Sequence, residues 1–369
     1  MKKYPVILIA LILALAMLGA CGGTNNGNGE NRDTSENGSL IGIAMPTRYS
    51  PRWIADGNSL VERLEGLGYS TILKYGDDVV AEQVAQINEM IDQGVDILVI
   101  AAIDGAALGG VLARAAAAGI TVIAYDRLIM DTPHVTYHTS FDNFAVGVMQ
   151  ANSLLMGLEV FGGATGPFNI ELFGGSLDDN NAFFFYGGAM SVLQPLIDGG
   201  TLVVRSGQLT MDVIGTFGWS GDRARARLDD LLAEFYIDTR LDAILSPYDG
   251  ISVAIIDALR DVGYGTADLP WPIVSGQDAT IPAVQSIIDG EQFATVFKDT
   301  RELAAATVRV IQAITAGQPV PVNDTTTYFN NVRVVPSYLL GITHVDITNW
   351  RVALIDTGYY SEDVFVLPY

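Results

Sequence analysis

The 369-residue chain holds one cysteine, three histidines, and 20 lysines and arginines against 42 aspartates and glutamates, for a net charge of −22. Each scarcity excludes something. One cysteine cannot form an internal disulfide. His134 and His138 lie four apart in a strand-like stretch, where that spacing does not suit a helical metal pair. The third, His344, is remote in sequence, and no cysteine of the body can join them, so no metal site is expected. Too few basic residues, and no basic stripe among them, exclude nucleic acid, whose affinity comes mostly from Lys and Arg on phosphates. A G-x-S-x-G elbow and a Walker phosphate loop are also absent. FGGS at 173–176 follows an apolar run but lacks the dinucleotide-binding spacing. No cofactor is expected.

Long apolar runs are absent too, except at the start. Lys2 and Lys3 precede an almost wholly apolar stretch from Val6 to Leu18, and Gly19-Ala20-Cys21 follows. A transmembrane helix needs about 20 apolar residues. This shorter run reads as a signal peptide over residues 1–20. An uncleaved anchor is the plainer alternative. Residues 22–39 contain no apolar side chain, and such a segment cannot bury enough surface to offset its ordering entropy. With Cys21 it reads as a flexible tether.

From Leu40 the composition changes. Apolar runs of five to eight residues alternate with longer stretches of helical period. The runs are 40–45, 69–75, 96–102, 120–126, 134–140, 168–175, 201–207, 242–250, 272–278 and 293–299. They are continuously apolar, as strands covered on both faces are. Between them, Val80, Val84, Ile87 and Ile91 mark one helical stripe, and Leu303, Val308, Ile311 and Ile314 another. The alternation predicts α/β architecture with doubly wound parallel sheets. Ten strands exceed one tidy sheet, so two similar lobes are expected. The chain should cross between them near 142–146, near Asp299 and near 333–340. This gives one lobe of 40–143 plus about 299–333 and another of 144–298 plus about 334–369.

In such sheets ligands bind beyond the carboxyl ends of the strands. Those ends carry Arg52 and Trp53, Asp126 and Arg127, Asp142 and Asn143, Asp178 to Asn181, Asp249, Gln277 and Asp278, and Lys298. Trp219 precedes a helix expected over 222–235. Carboxylates, amides and guanidinium groups each meet two neighbouring hydroxyls in a plane, and Trp offers a flat apolar face. A sugar presents the matching pattern. Plainer roles compete at several positions. Asp104 and Asp299 read as helix caps, and Asp178 or Asp179 can cap the helix that Asn180 begins. Trp53 and Trp219 can be core aromatics. Asp126 and Arg127 can be an ordinary ion pair.

IAMPTRYSPRWIADGN, VIAYDRLI, FNIELFGGSLDDNNAFFF, LSPYDG, VSGQDA and FKDTRELA together resemble the periplasmic sugar-binding proteins of bacterial ABC importers, type I fold. Within that family the likeness is to the multiple sugar-binding receptors and the xylose-binding proteins. It runs through residues 40–369. Leu177 stands where those proteins carry proline. The resemblance implies two lobes, joined by a three-segment hinge, closing on one monosaccharide. By position it assigns ligand contacts to Arg52, Trp53, Asp126, Arg127, Asn181, Trp219, Asp249, Gln277, Asp278 and Lys298, with Trp219 stacking on the ring. It implies an importer permease as partner; whether a chemoreceptor or sensor kinase also reads the closed form is not written in the sequence. The Cys21 ending resembles the bacterial lipoprotein signal, which implies lipidation and membrane anchoring outside the cytoplasm. A monomer and no enzymatic activity are expected. A sugar acid or a furanose signal is the alternative ligand. A sugar hydrolase and a LacI-type regulator compete, and the regulator would need an N-terminal helix-turn-helix in place of the signal and tether.

Overall fold

A computed structural model describes residues 38–367. The signal peptide, Cys21 and nearly all of the tether lie outside the described residues. Among the described residues no helix is long and apolar enough to cross a membrane.

Every expected run forms a strand. The first lobe is built on β1 (Leu40–Met45), β2 (Ser70–Tyr75), β3 (Ile97–Ile100), β4 (Thr121–Tyr125) and β5 (Tyr137–Phe141). The second uses β6 (Phe168–Leu172), β7 (Leu202–Val204), β8 (Ala243–Leu245), β9 (Ile273–Val274) and β10 (Ala294–Phe297). Two further strands follow, β11 (Ser337–Leu340) and β12 (Thr343–Asp346). The first sheet runs β2-β1-β3-β4-β5-β11 and is parallel throughout. The second runs β7-β6-β8-β9, also parallel. A bridge from Gln277 to Val296 attaches β10, on which β12 pairs antiparallel.

The β3 side chains show why the pattern reads as continuous. Ile97 and Val99 enter one core with Leu60 and Leu64 of α1 (Pro51–Glu65), while Leu98 and Ile100 enter the opposite one with Ile87 of α2 (Val80–Asp92). Both faces are buried, so both parities are apolar.

The chain leaves the first sheet after β5, returns after β10 and leaves again after β11. Ser337 pairs with His138 in the first sheet. The expected boundary at 333/334 is therefore corrected: β11 belongs to the first lobe, and the final crossing falls between Leu340 and Thr343. VVPSYLL looked like a tail because its short apolar piece has no helix after it to mark a strand–helix unit.

The second lobe depends on one close helix crossing. α3 (Gly109–Ala117) and the Thr300–Thr315 helix add to the first lobe's cover, and in the second lobe α4 (Asn143–Gly157) packs along α5 (Asn180–Asp198). A Cβ on Gly147 would stand 1.9 Å from the Phe185 carbonyl oxygen, and one on Gly188 2.0 Å from that of Phe144. Only glycine permits this backbone approach.

Candidate functional site

The carboxyl ends of the two sheets face each other across a cleft of about 220 Å³. From the first lobe, α1 starts at Pro51, just after Ser50, and its first turn projects Arg52 and Trp53 into the cleft. The Arg52 guanidinium donates to the Asp126 carboxylate. It also lies 3.5 Å from Asp56, one helical turn below, and 3.7 Å from Asp278 of the other lobe. The guanidinium carbons of Arg52 and Arg127 stand 4.6 and 5.3 Å from the Trp53 ring centroid.

Asp126 sits at the centre of a three-residue turn, with Arg127 N donating to Tyr125 O at 2.6 Å and φ at +62°. Such a turn is rare and strained, and persists only where its surroundings over-determine it. Its carbonyl oxygen accepts from Ser140 Oγ (2.8 Å), His138 Nε2 (3.2 Å) and Asn181 Nδ2 (3.2 Å). Asn143, at the crossing, donates to both Ser140 Oγ (3.2 Å) and Asn181 Oδ1 (2.9 Å). A ring of hydrogen bonds thus joins β5, the crossing and α5 to the backbone of Asp126.

From the second lobe, Asp179 caps α5, accepting from Asn181 N, and also forms an ion pair with Arg127, whose Nε lies 2.9 Å away. Asp126 and Arg127 are therefore adjacent in sequence yet each pairs with another residue. Trp219 has φ +55° and lies edge-on to Phe185 and Tyr248. A Cβ on Gly175 would fall 2.1 Å from its ring, so glycine there makes room for the indole. Gln277 and Asp278 follow β9, and Lys298 follows β10, with its Nζ 3.0 Å from Asp278.

Burial alone would raise the Asp126 carboxyl, but the charges of Arg52 and Lys298 bring it down to about 2. Asp56 is pushed up to about 7 by burial, only partly opposed by Arg52. Burial lowers His138 to about 4, so its imidazole is neutral and Nε2–H donates to the Asp126 carbonyl. The three cleft cations Arg52, Arg127 and Lys298 each have a carboxylate within 3.0 Å, from Asp126, Asp179 and Asp278 in turn, and Asp78 is a fourth lining carboxylate. Several buried polar atoms make no hydrogen bond within the protein, among them Trp219 Nε1, Gln277 Oε1 and Arg52 Nε, the last with only the Asp56 carboxylate 3.5 Å away. Donors and acceptors are thus both present at the cleft walls.

Nine of the ten expected contacts line this cleft: Arg52, Trp53, Asp126, Arg127, Asn181, Trp219, Gln277, Asp278 and Lys298. Asp249 does not, and its expected role is corrected. The run 242–250 stops being a strand at Leu245, and Asp249 is the first residue of α8 (Asp249–Asp261). It is fully buried and accepts from Thr295 Oγ1 (2.7 Å), Thr280 N (2.8 Å) and Gln292 Nε2 (3.3 Å). Its neighbour Tyr248 faces the cleft instead. Asp299 caps the Thr300–Thr315 helix, accepting from Arg301 N, whereas Asp104 accepts from Ala106 N within a turn and caps no helix, since α3 begins only at Gly109. Sequence reading missed Tyr248, Phe185 and Thr47 in the cleft and Asp56 beneath it. Asp56 carried one usable signal, a carboxylate four residues after Arg52 on the same helix face.

Residues 41–319 match the periplasmic binding protein domain. The multiple sugar-binding periplasmic receptor ChvE of Rhizobium radiobacter is 56% identical over 323 residues, covering 88% of this chain and 91% of that protein. The multiple sugar-binding periplasmic protein SbpA of Azospirillum brasilense is 52% identical over 353 residues, covering 96% and 97%. Among solved structures, an ABC transporter solute-binding protein from Clostridium phytofermentans with bound β-D-glucose superposes with a TM-score of 0.85. It shares 45% identity, over 89% of this chain and all of that one. These relatives are receptors rather than enzymes, and the hydrolase reading falls with them. With its two parallel sheets, three crossings and a polar cleft at their carboxyl ends, the chain belongs to the periplasmic binding protein family, type I fold.

Proposed function

We propose that this protein captures a neutral aldose outside the cytoplasmic membrane and delivers it to an ABC importer. The observation that carries the reading is the cleft wall, where unpartnered buried donors and acceptors from both lobes stand beside two tryptophans. A polyol satisfies both kinds of atom at once, and burying them without partners is costly. The named ligands of the relatives support the same class. Trp53 and Trp219 take the faces of the pyranose, and Asp126, Asn181, Gln277 and Asp278 its hydroxyls. The paired cations favour a neutral sugar over a sugar acid, since each already holds a carboxylate and Asp78 adds a further negative charge to the lining. Cleft size supports one ring, lying below the ~300–1,000 Å³ of drug-sized sites.

In this reading Cys21 is lipidated, the segment through residue 39 is the tether, and the receptor works as a monomer. The permease reads the closed lobes, with a chemoreceptor or sensor kinase as alternative readers. Calorimetric titration with glucose, galactose, xylose, arabinose, fucose and ribose tests it, followed by mass analysis of the recovered sugar. Micromolar or tighter binding with the sugar intact is expected. Silence across the panel, or a chemically altered sugar, overturns it. Trp219→Ala should weaken the best ligand by about 1–3 kcal/mol through loss of one stacked face.

A further inference from the structure

A second cavity, of about 630 Å³, adjoins the cleft between the lobes. The two share Ser50, Arg52, Tyr248, Asp278 and Lys298 as lining. Beyond these the cavity changes character. Its walls there include Ala55 of α1, Val253 of α8, Ile281, Pro282, and Tyr359 and Tyr360 of the C-terminal segment. The cleft wants hydroxyls, whereas this neighbouring space is mostly apolar and offers flat tyrosine faces.

The lobes also meet unevenly. At one flank Gly105 N donates to Asp178 O at 3.2 Å, and Phe184 stacks on Tyr328 with centroids 4.7 Å apart. On the flank of α1 and α8 the cavity remains. There the shared boundary contains the Arg52–Asp278 contact at 3.7 Å, which is too long for a hydrogen bond. Each side of that contact has another partner, Asp126 for Arg52 and Lys298 for Asp278. The two groups can separate without leaving either charge unpaired.

We propose that this cavity is a subsite for an apolar substituent carried by the bound sugar, the aglycone of a glycoside. The proposal rests on the sugar reading above. A ring in the cleft sends its substituent past Tyr248, between Arg52 and Asp278, onto Tyr359 and Tyr360. The receptor then takes glycosides with apolar aglycones as well as free aldoses.

The test titrates purified full-length protein with D-glucose and D-xylose, and with phenyl α- and β-D-glucopyranoside and phenyl β-D-xylopyranoside. At least one phenyl glycoside should bind as tightly as its parent aldose or tighter. Ala55→Trp and Val253→Trp each fill the cavity without touching the cleft. Either should weaken that glycoside about tenfold or more while the free aldose stays within about threefold. The inference is overturned if every phenyl glycoside binds at least about tenfold more weakly than its parent aldose. Equal weakening of aldose and glycoside by the tryptophan variants also overturns it. Cellobiose binding with the same variant sensitivity, in place of the phenyl glycosides, would show a polar subsite and overturn the apolar assignment. If neither free aldose binds, the sugar reading itself fails, a different result from any of these.

Discussion

At the scale of single residues, the site turns on partners that are distant in sequence. Asp249 and Asp126 are both buried aspartates that the sequence alone puts at strand ends, yet their environments separate them. Asp249 is pushed up to about 7 by burial, against hydrogen bonds from Thr295, Thr280 and Gln292. Those three donors hold α8, α9 (Ile281–Ile288) and β10 together. Asp249→Ala should therefore lower stability by about 1–3 kcal/mol or more through stranded donors, read by urea denaturation, with aldose affinity within about threefold. Asp126→Ala should do the reverse at the site, weakening the aldose by about 2 kcal/mol or more in calorimetry. A loss of affinity equal in both variants would return Asp249 to the binding wall. Nine of the ten expected residues line the cleft because strand direction brings the loops after the strands there and the family resemblance picked positions within them. Sequence reading misplaced Asp249 because the turn from β8 into α8 reversed which of two adjacent residues looks outward.

At the scale of elements, apolar runs specified the strands and helical stripes the helices, since both faces of each sheet are covered. What the pattern concealed was spacing between elements. Gly147 and Gly188 set how closely α4 and α5 approach, and nothing in the apolar pattern marks them for it. α5 carries Asn181 and Phe185 to the cleft, so the crossing also positions the site. Gly188→Ala forces a Cβ against the Phe144 carbonyl, and the helices must separate. We expect a loss of about 1–3 kcal/mol in urea denaturation, with weaker aldose binding in the protein that remains folded. Unchanged stability would mean the helices shift freely, and α4 and α5 would then not be a rigid mount for Asn181.

At the scale of the whole molecule, closure and pH act through the same buried charges. Asp56 has a folded-state value of about 7, raised above that of the unfolded chain. The stability it contributes is fully present below about pH 4 and is lost as pH rises through about 7. Asp249 acts in the same direction, so the comparison of wild type with Asp56→Asn isolates Asp56. The variant should lose less stability than wild type between pH 5 and pH 8, by on the order of a few kcal/mol. Parallel curves would show that Asp56 stays ionised. Asp126 works with opposite sign: its value is lowered to about 2, so its contribution holds above about pH 4 and disappears as pH falls toward 2. Contacts between the lobes, including Arg127 with Asp179 and Gly105 with Asp178, require the closed arrangement. A ligand bound from both sides favours closure only to the extent that it binds the closed form better. Small-angle scattering should show a smaller radius of gyration on saturation with the best aldose, and an unchanged radius would count against a hinge.

The sequence by itself determined the class of fold, the order of ten strands and the polar character of their carboxyl ends. Those are local properties: apolar runs of strand length, helical stripes, and the residue that follows each run. Only the tertiary structure decided which polar residues meet. Arg52 finds Asp126 across 74 positions, Arg127 finds Asp179 in the other lobe, and β11 returns to pair with β5 after the second lobe is complete. Such pairings depend on sheet order, on the close glycine crossing and on closure of the lobes. No local periodicity encodes them, because they arise where segments far apart in the chain are brought to one cleft.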